Sequence, residues 1–205
     1  MATAFPRDIP PGGASWLKSP GPLLDWGGTG KGQAGLTGQI GRSWRETWPP
    51  IKGADVAVQA FLAKVAFFWT HATVLDVEHY SKRTRLGAGG GSPLVKGANQ
   101  TGNSILTDGW PNNTAVLKAG DLVRLGALLP VFEVRDDVTS DGSGNATLVL
   151  NPRIIAGGSP PDNAVIATNP GIKFRAIIAE EPNWPDCPAN EFYQGFGITF
   201  REWLS

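Results

Sequence analysis

GANQTGNSILTDGWPNNTAVLKAGDLVRLG, residues 97–126, decides the fold class. Its apolar runs are short, and each is broken by Gly, Asn, Asp or Pro. Turn residues at that density, set between β-branched and leucine-rich runs, specify hairpins of a compact small barrel or sandwich. The stretch closes on Ala119-Gly120-Asp121, a tight polar turn that launches Leu122, Val123, Arg124 and Leu125. It holds no arrangement of residues able to do chemistry. On the residues alone this is a rigid β-module with a structural or binding role.

The pattern continues on both sides. Strands are predicted near 104–107, 114–117, 121–125, 130–135, 146–150 and 164–168, with hairpin turns at Asp141 to Asn145 and Pro160 to Asn163. Gly87 to Ser92, GAGGGS, reads as a flexible linker by composition and marks the start of the module, 87–170. Beyond it, Ile172 to Ala179 and Gly195 to Trp203 read as longer strands. In the last one, Phe196, Ile198 and Phe200 share one face, while Thr199, Arg201 and Trp203 share the other.

Upstream, residues 1–35 are rich in Pro and Gly and read as an extended arm with one short strand around Ser15 to Lys18. Leu36 to Trp48 alternates loosely as a strand ended by Pro49 and Pro50. Asp55 to Phe68 is the one convincing helix, with Asp55 placed to cap it. Asp55 and Gln59 share one narrow polar face, so the helix is expected to be covered on most sides, by a sheet or a neighbouring subunit. Val74 to Val77 is a further strand. The organisation expected is a discontinuous base domain, 1–86 with 171–205, around the inserted module.

Composition limits function. The 205 residues suffice for one large or two small domains burying roughly 70% of the unfolded surface. Lys+Arg and Asp+Glu are both 18, so the net charge is zero and no electrostatic footprint for tight nucleic-acid or membrane binding exists. A surface only 18% charged and neutral overall favours self-association. The single Cys187 excludes an intrachain disulfide and a cysteine zinc site. The start has no signal-peptide pattern, and no apolar run is long enough to span a bilayer, so synthesis in a cytoplasm is expected.

The chemical motifs fail one by one. Asp137 to Gly142 begins like a calcium loop, but position twelve is Leu148. Gly27 to Gly32 lacks the first Gly and the Ser or Thr of a phosphate loop. Ser15-Trp16-Leu17-Lys18 matches a bare SxxK without its companions. His71 and His79 are read as flanking a strand on the face opposite Asp76 and Glu78, which makes no metal site. Lys82-Arg83-Thr84-Arg85 reads as a solvated corner, and the three Asn-X-Thr sequons as turn asparagines. No catalysis, cofactor or metal is expected. Trp110, Trp184 and Tyr193, if exposed, would form a carbohydrate-reading surface, the alternative function.

From about Pro93 to the end, the ordered pieces GANQTG (97–102), DGWPN (108–112), LKAGD (117–121) with Gly126, SDGSGNATL (140–148) with Pro152-Arg153, Phe174-Arg175 and YQGFGITF (193–200) resemble the distal tail, or minor tail, proteins of long-tailed bacteriophages. Phe5-Pro6-Arg7 and the helix stand in the expected order; Ser81 to Ser92 departs from the shorter connector of that family. The resemblance implies a mainly β chain, with a tail-tube-like β-sandwich base, one flanking helix and an inserted small β-barrel or β-sandwich. It also implies a virion protein of the tail tip, a hexameric ring that joins the tail tube protein to the tail hub protein or baseplate and carries receptor-binding or side tail proteins. A ring needs heterologous contacts that close by rotation. The arm and the last strand are the candidates for them, through Phe5, Trp16, Phe196, Ile198, Phe200 and Trp203.

Overall fold

The turn-punctuated runs form strands, and the computed structural model describes residues 2–15, 23–25, 33–35, 41–52, 55–155, 157–184, 192–193 and 196–204. The chain is mainly β. Its described residues hold one α-helix, a mixed six-stranded sheet and a nearly closed antiparallel sheet of six strands. They form two compact units, Met1–Phe5 with Val74–Arg175, and Pro6–Thr73 with Ala176–Leu204.

The first unit is built on the antiparallel sheet. Its strands run in the order Ile166–Thr168, Leu122–Leu125, Phe132–Val134, Ala146–Ile154, Gly102–Asp108 and Leu94–Val95. An antiparallel bridge between Leu94 and Val165 brings the first and last strands together, which nearly closes the barrel. Alternation supplies the interior: Ala146, Leu148 and Leu150 point in, beside Ile105, Val123, Leu125, Phe132 and Val134. Each of these larger than Ala146, fully buried, contributes about 1.5–3 kcal/mol. At the tip of one hairpin the Asp141 carboxylate accepts from the Ser143 and Asn145 amides, both at 2.8 Å. Gly144 follows at φ +76°, and a Cβ there would lie 2.4 Å from the Trp110 carbonyl oxygen. This unit also contains a short parallel pair, Thr3–Ala4 with Leu75–Val77.

Two expectations for this unit are corrected. GAGGGS is not a free linker. Ala88 and Gly89 donate to the carbonyls of Ala115 and Val116, and Ser92 donates to that of Gly109. Its glycines serve close approach: a Cβ on Gly87 would lie 2.4 Å from the Val116 oxygen, and one on Gly91 2.2 Å from the Gly109 oxygen. The basic corner is solvated only in part: Arg83 and Thr84 are exposed, but Lys82 and Arg85 are not. Lys82 is buried, donating to Glu133 and, at 3.1 Å, to the Gly120 carbonyl. Arg85 donates to the carbonyls of Gly87, Ala88 and Asn169 and to the Thr168 hydroxyl. Cations held by carbonyls and a carboxylate act as struts.

The second unit carries the helix. Antiparallel pairing links Phe174–Ile178 through Ala176 to Gly197–Glu202, then Ser43–Thr47, then Gly13–Ala14. The long strand expected over 36–48 is described only as Ser43–Thr47; residues 36–40 lie outside the described residues. The arm adds a hairpin of Leu23–Asp25 with Gln33–Gly35. The helix, Val56–Thr70, starts where Asp55 accepts from the Ala57 amide at 2.8 Å. Val58, Phe61, Val65 and Phe68 are its buried side, with Phe61 against Trp48 and Phe196. Two carboxylates on the strands are buried and paired, Glu46 with Arg7 and Glu202 with Arg42. Among the described residues no helix is long and apolar enough to cross a membrane.

Candidate functional site

The alternation read for the last strand is present, and it sends half of the expected contact residues inward. Phe196, Ile198 and Phe200 are fully buried in the second unit: Phe200 stacks on Trp44 at 5.3 Å and Phe196 packs on Trp48 at 5.2 Å. Glu202 continues the inward row, whereas Arg201 is exposed and Trp203 keeps 39% of its surface. Phe5 is buried in the first unit, where its amide donates to the Asp76 carbonyl. Trp16 lies outside the described residues.

The helix was expected to be covered on most sides. In this chain one stripe of it is uncovered and apolar, beside exposed Gln59 and Lys64. Val56 is 80% exposed and Phe67 55%, with Ala60 and Ala63 exposed between them. Spacings of four, three and four residues align these positions in one stripe. Phe67 stacks on His71 (ring centroids 4.2 Å apart) and meets the edge of Phe68. Apolar composition alone does not distinguish a helix covered by its own chain from one awaiting a partner.

A third feature lies at the strand Gly197–Glu202. A groove of about 690 Å³ is lined by Arg45, Glu180, Glu181, Asn183, Trp184, Gly197 and Thr199. The Trp184 indole leans on buried Phe196, with centroids 6.1 Å apart, and keeps 36% of its surface. The Asn183 amide donates to the Gly197 carbonyl at 3.3 Å, which holds the loop against the strand. Gly197 makes room for Arg45: a Cβ there would lie 2.7 Å from Nε and 2.9 Å from a terminal guanidinium nitrogen. Among the described residues neither Glu180 nor Glu181 is ion-paired to this guanidinium. Sequence reading singled out Trp184 but missed its polar neighbours. The available signal was Gly197, a residue without a side chain amid an apolar strand.

The remaining candidates are structural. Trp110 is buried and donates through Nε1 to the Thr107 hydroxyl at 2.8 Å, so it cannot join a sugar-reading surface. The Tyr193 side chain, Cys187 and the Gly27 to Gly32 loop fall outside the described residues, as does most of the SxxK match. His71 ends the helix ahead of the strand Leu75–Val77, and beyond that strand His79 is buried near Phe174. Among the described residues no three His, Cys, Asp or Glu side chains cluster as metal ligands. Asp141 is held below the usual carboxylate range, first by the Asn145 side-chain amide and then by the Asn145 and Ser143 backbone amides. It stabilises a hairpin tip. A smaller cavity of about 300 Å³ brings together Asp76, Arg124 and Lys173, and Arg124 Nε there reaches the Leu128 carbonyl at 3.4 Å. Comparison with protein-family models and with curated proteins finds no match for the chain.

Proposed function

We propose that this protein is a structural subunit of a bacteriophage tail tip, one of six in a ring that joins the tail tube to the hub or baseplate. Receptor-binding or side tail proteins would attach to its outer face. The role involves no turnover, cofactor or metal, no membrane and no tight hold on nucleic acid. Its place is the virion, after synthesis in the host cytoplasm.

The ordered motif pieces between 97 and 200 suggest the family, and one structural observation carries the assembly. A chain of zero net charge exposes an apolar stripe, Val56, Ala60, Ala63 and Phe67, on its helix. Exposed apolar surface of this kind marks contacts with other proteins. A mainly β chain whose described residues hold one helix agrees with the reading.

Light scattering followed by negative-stain electron microscopy tests it. Six-membered rings are expected from the native chain, and Val56→Asp with Phe67→Asp should give a folded monomer. Rings that persist in that double variant would remove the stripe from the contact. A chain that stays monomeric, alone and with tube and hub proteins added, would end the ring reading.

A further inference from the structure

The groove at Trp184 combines three kinds of surface that one ligand class matches. Its wall is an aromatic face, a third exposed and fixed from behind by Phe196. Its floor is the Gly197 backbone, across which the Arg45 guanidinium lies. Its rim carries two carboxylates, Glu180 and Glu181, and the Thr199 hydroxyl. At about 690 Å³ the space falls within the ~300–1,000 Å³ usual for small-ligand sites.

We propose that this groove binds a neutral pyranose sugar. The indole takes the C–H face of the ring, and Arg45, Glu180 and Glu181 take its hydroxyls. A pyranose presents axial hydrogens on a flat apolar face and hydroxyls around its edge. The face suits an indole, whose ring is both large and apolar. Neighbouring hydroxyls, each both donor and acceptor, match the planar donor fork of a guanidinium and the paired acceptor oxygens of a carboxylate.

Charge narrows the class. Two carboxylates repel phosphate, uronate and sialate groups, which disfavours nucleotides and acidic sugars. Arg45 in the same groove repels a cationic ligand. What fits both signs is a neutral, polyhydroxylated partner. These charges are not ion-paired to one another across the groove, so a sugar need not break a protein ion pair to reach them.

The proposal does not depend on the ring. A chain that binds sugar but stays monomeric even with tube and hub proteins added would refute the ring and leave this site standing, and a ring that ignores sugar would do the reverse.

Saturation-transfer NMR with cellotriose and triacetylchitotriose at millimolar concentration decides it, with trigalacturonate as the acidic control. Transfer to the ring protons of at least one neutral trisaccharide is expected. Trp184→Ala and Arg45→Ala should weaken binding by at least about tenfold. Because Trp184 packs on Phe196, Trp184→Phe serves as a control that keeps an aromatic ring in place and should retain part of the affinity. Arg45 is exposed, so its variant should fold normally. The idea fails if neither neutral trisaccharide binds, if Arg45→Ala binds as well as the native chain, or if trigalacturonate binds as tightly as the neutral sugars.

Discussion

Asp121 offers the sharpest test of how the connector is held to the barrel. Its side chain is buried, and its carboxylate accepts three backbone amides: Leu86 at 2.6 Å, Gly87 at 3.0 Å and Lys118 at 2.8 Å. The first two belong to the connector, and the third to the turn that Asp121 itself closes. A hydrogen bond to a charged acceptor nets about 1.5–3 kcal/mol, and the partly exposed donors here place each bond at the low end. Asp121→Ala, which loses all three, should therefore cost about 4–5 kcal/mol. For a chain of this length that corresponds to a melting point lower by about 10 °C. Asp121→Asn keeps the volume and, with its oxygen toward Gly87 and Lys118, retains two of the bonds while setting its NH₂ against Leu86. Its cost should be about 1–2 kcal/mol. Urea unfolding gives the totals, and hydrogen exchange at the amides of 86, 87 and 118 localises them. An Asn variant as stable as the native chain, or an Ala variant losing less than about 1 kcal/mol, would show that Asp121 fills space rather than clamping the connector.

Two other measurements follow from single contacts. A Cβ on Gly41 would lie 2.0 Å from the Glu202 carbonyl oxygen, so Gly41→Ala must move backbone and should cost about 2–3 kcal/mol. Gly197→Ala meets only the movable guanidinium of Arg45 and should cost less than about 1 kcal/mol; equal melting points would contradict the contrast. Asp141 has a depressed folded-state pKa, so its hairpin contributes stability above the ordinary Asp value, and that stability is lost as pH falls through the lower, folded value. Carboxyl NMR titration should show that depression, and Asn145→Ala should move the titration back toward the ordinary value; an unmoved titration would mean that Asn145 is not its cause.

What the sequence disclosed was local. Asp55 before an apolar run marked the helix start, and alternation over 195–203 marked a strand with one buried face. What it concealed depended on partners distant along the chain. Lys82 reads as solvated until Glu133 is brought to it. The glycines of GAGGGS read as flexible because composition cannot distinguish a glycine needed for freedom from one needed for clearance; Gly87 and Gly91 are the second kind. Trp110, set in a polar turn, looks exposed until Thr107 is seen to satisfy its N–H. The Trp184 groove has the same origin, because Arg45 reaches Glu180 and Glu181 only through pairing of the strand Ser43–Thr47 with Gly197–Glu202.

The strand Gly197–Glu202 also bears on where a ring contact would fall. Phe196, Ile198 and Phe200 complete the second unit's own core, and side chains already enclosed there have no surface to offer a neighbour. An assembly that used them would have to open that core, releasing the Phe200–Trp44 stack and the tilted Phe196–Trp48 pair together. The outward neighbours carry no such cost. Trp203 and the helix stripe from Val56 to Phe67 are exposed in the same unit and apolar. The proposed ring contact therefore rests on surfaces that the unit's own packing leaves uncovered. Substituting Trp203 or Phe67 should alter assembly with little change in melting point, whereas substituting Phe200 should lower the melting point whatever the state of assembly.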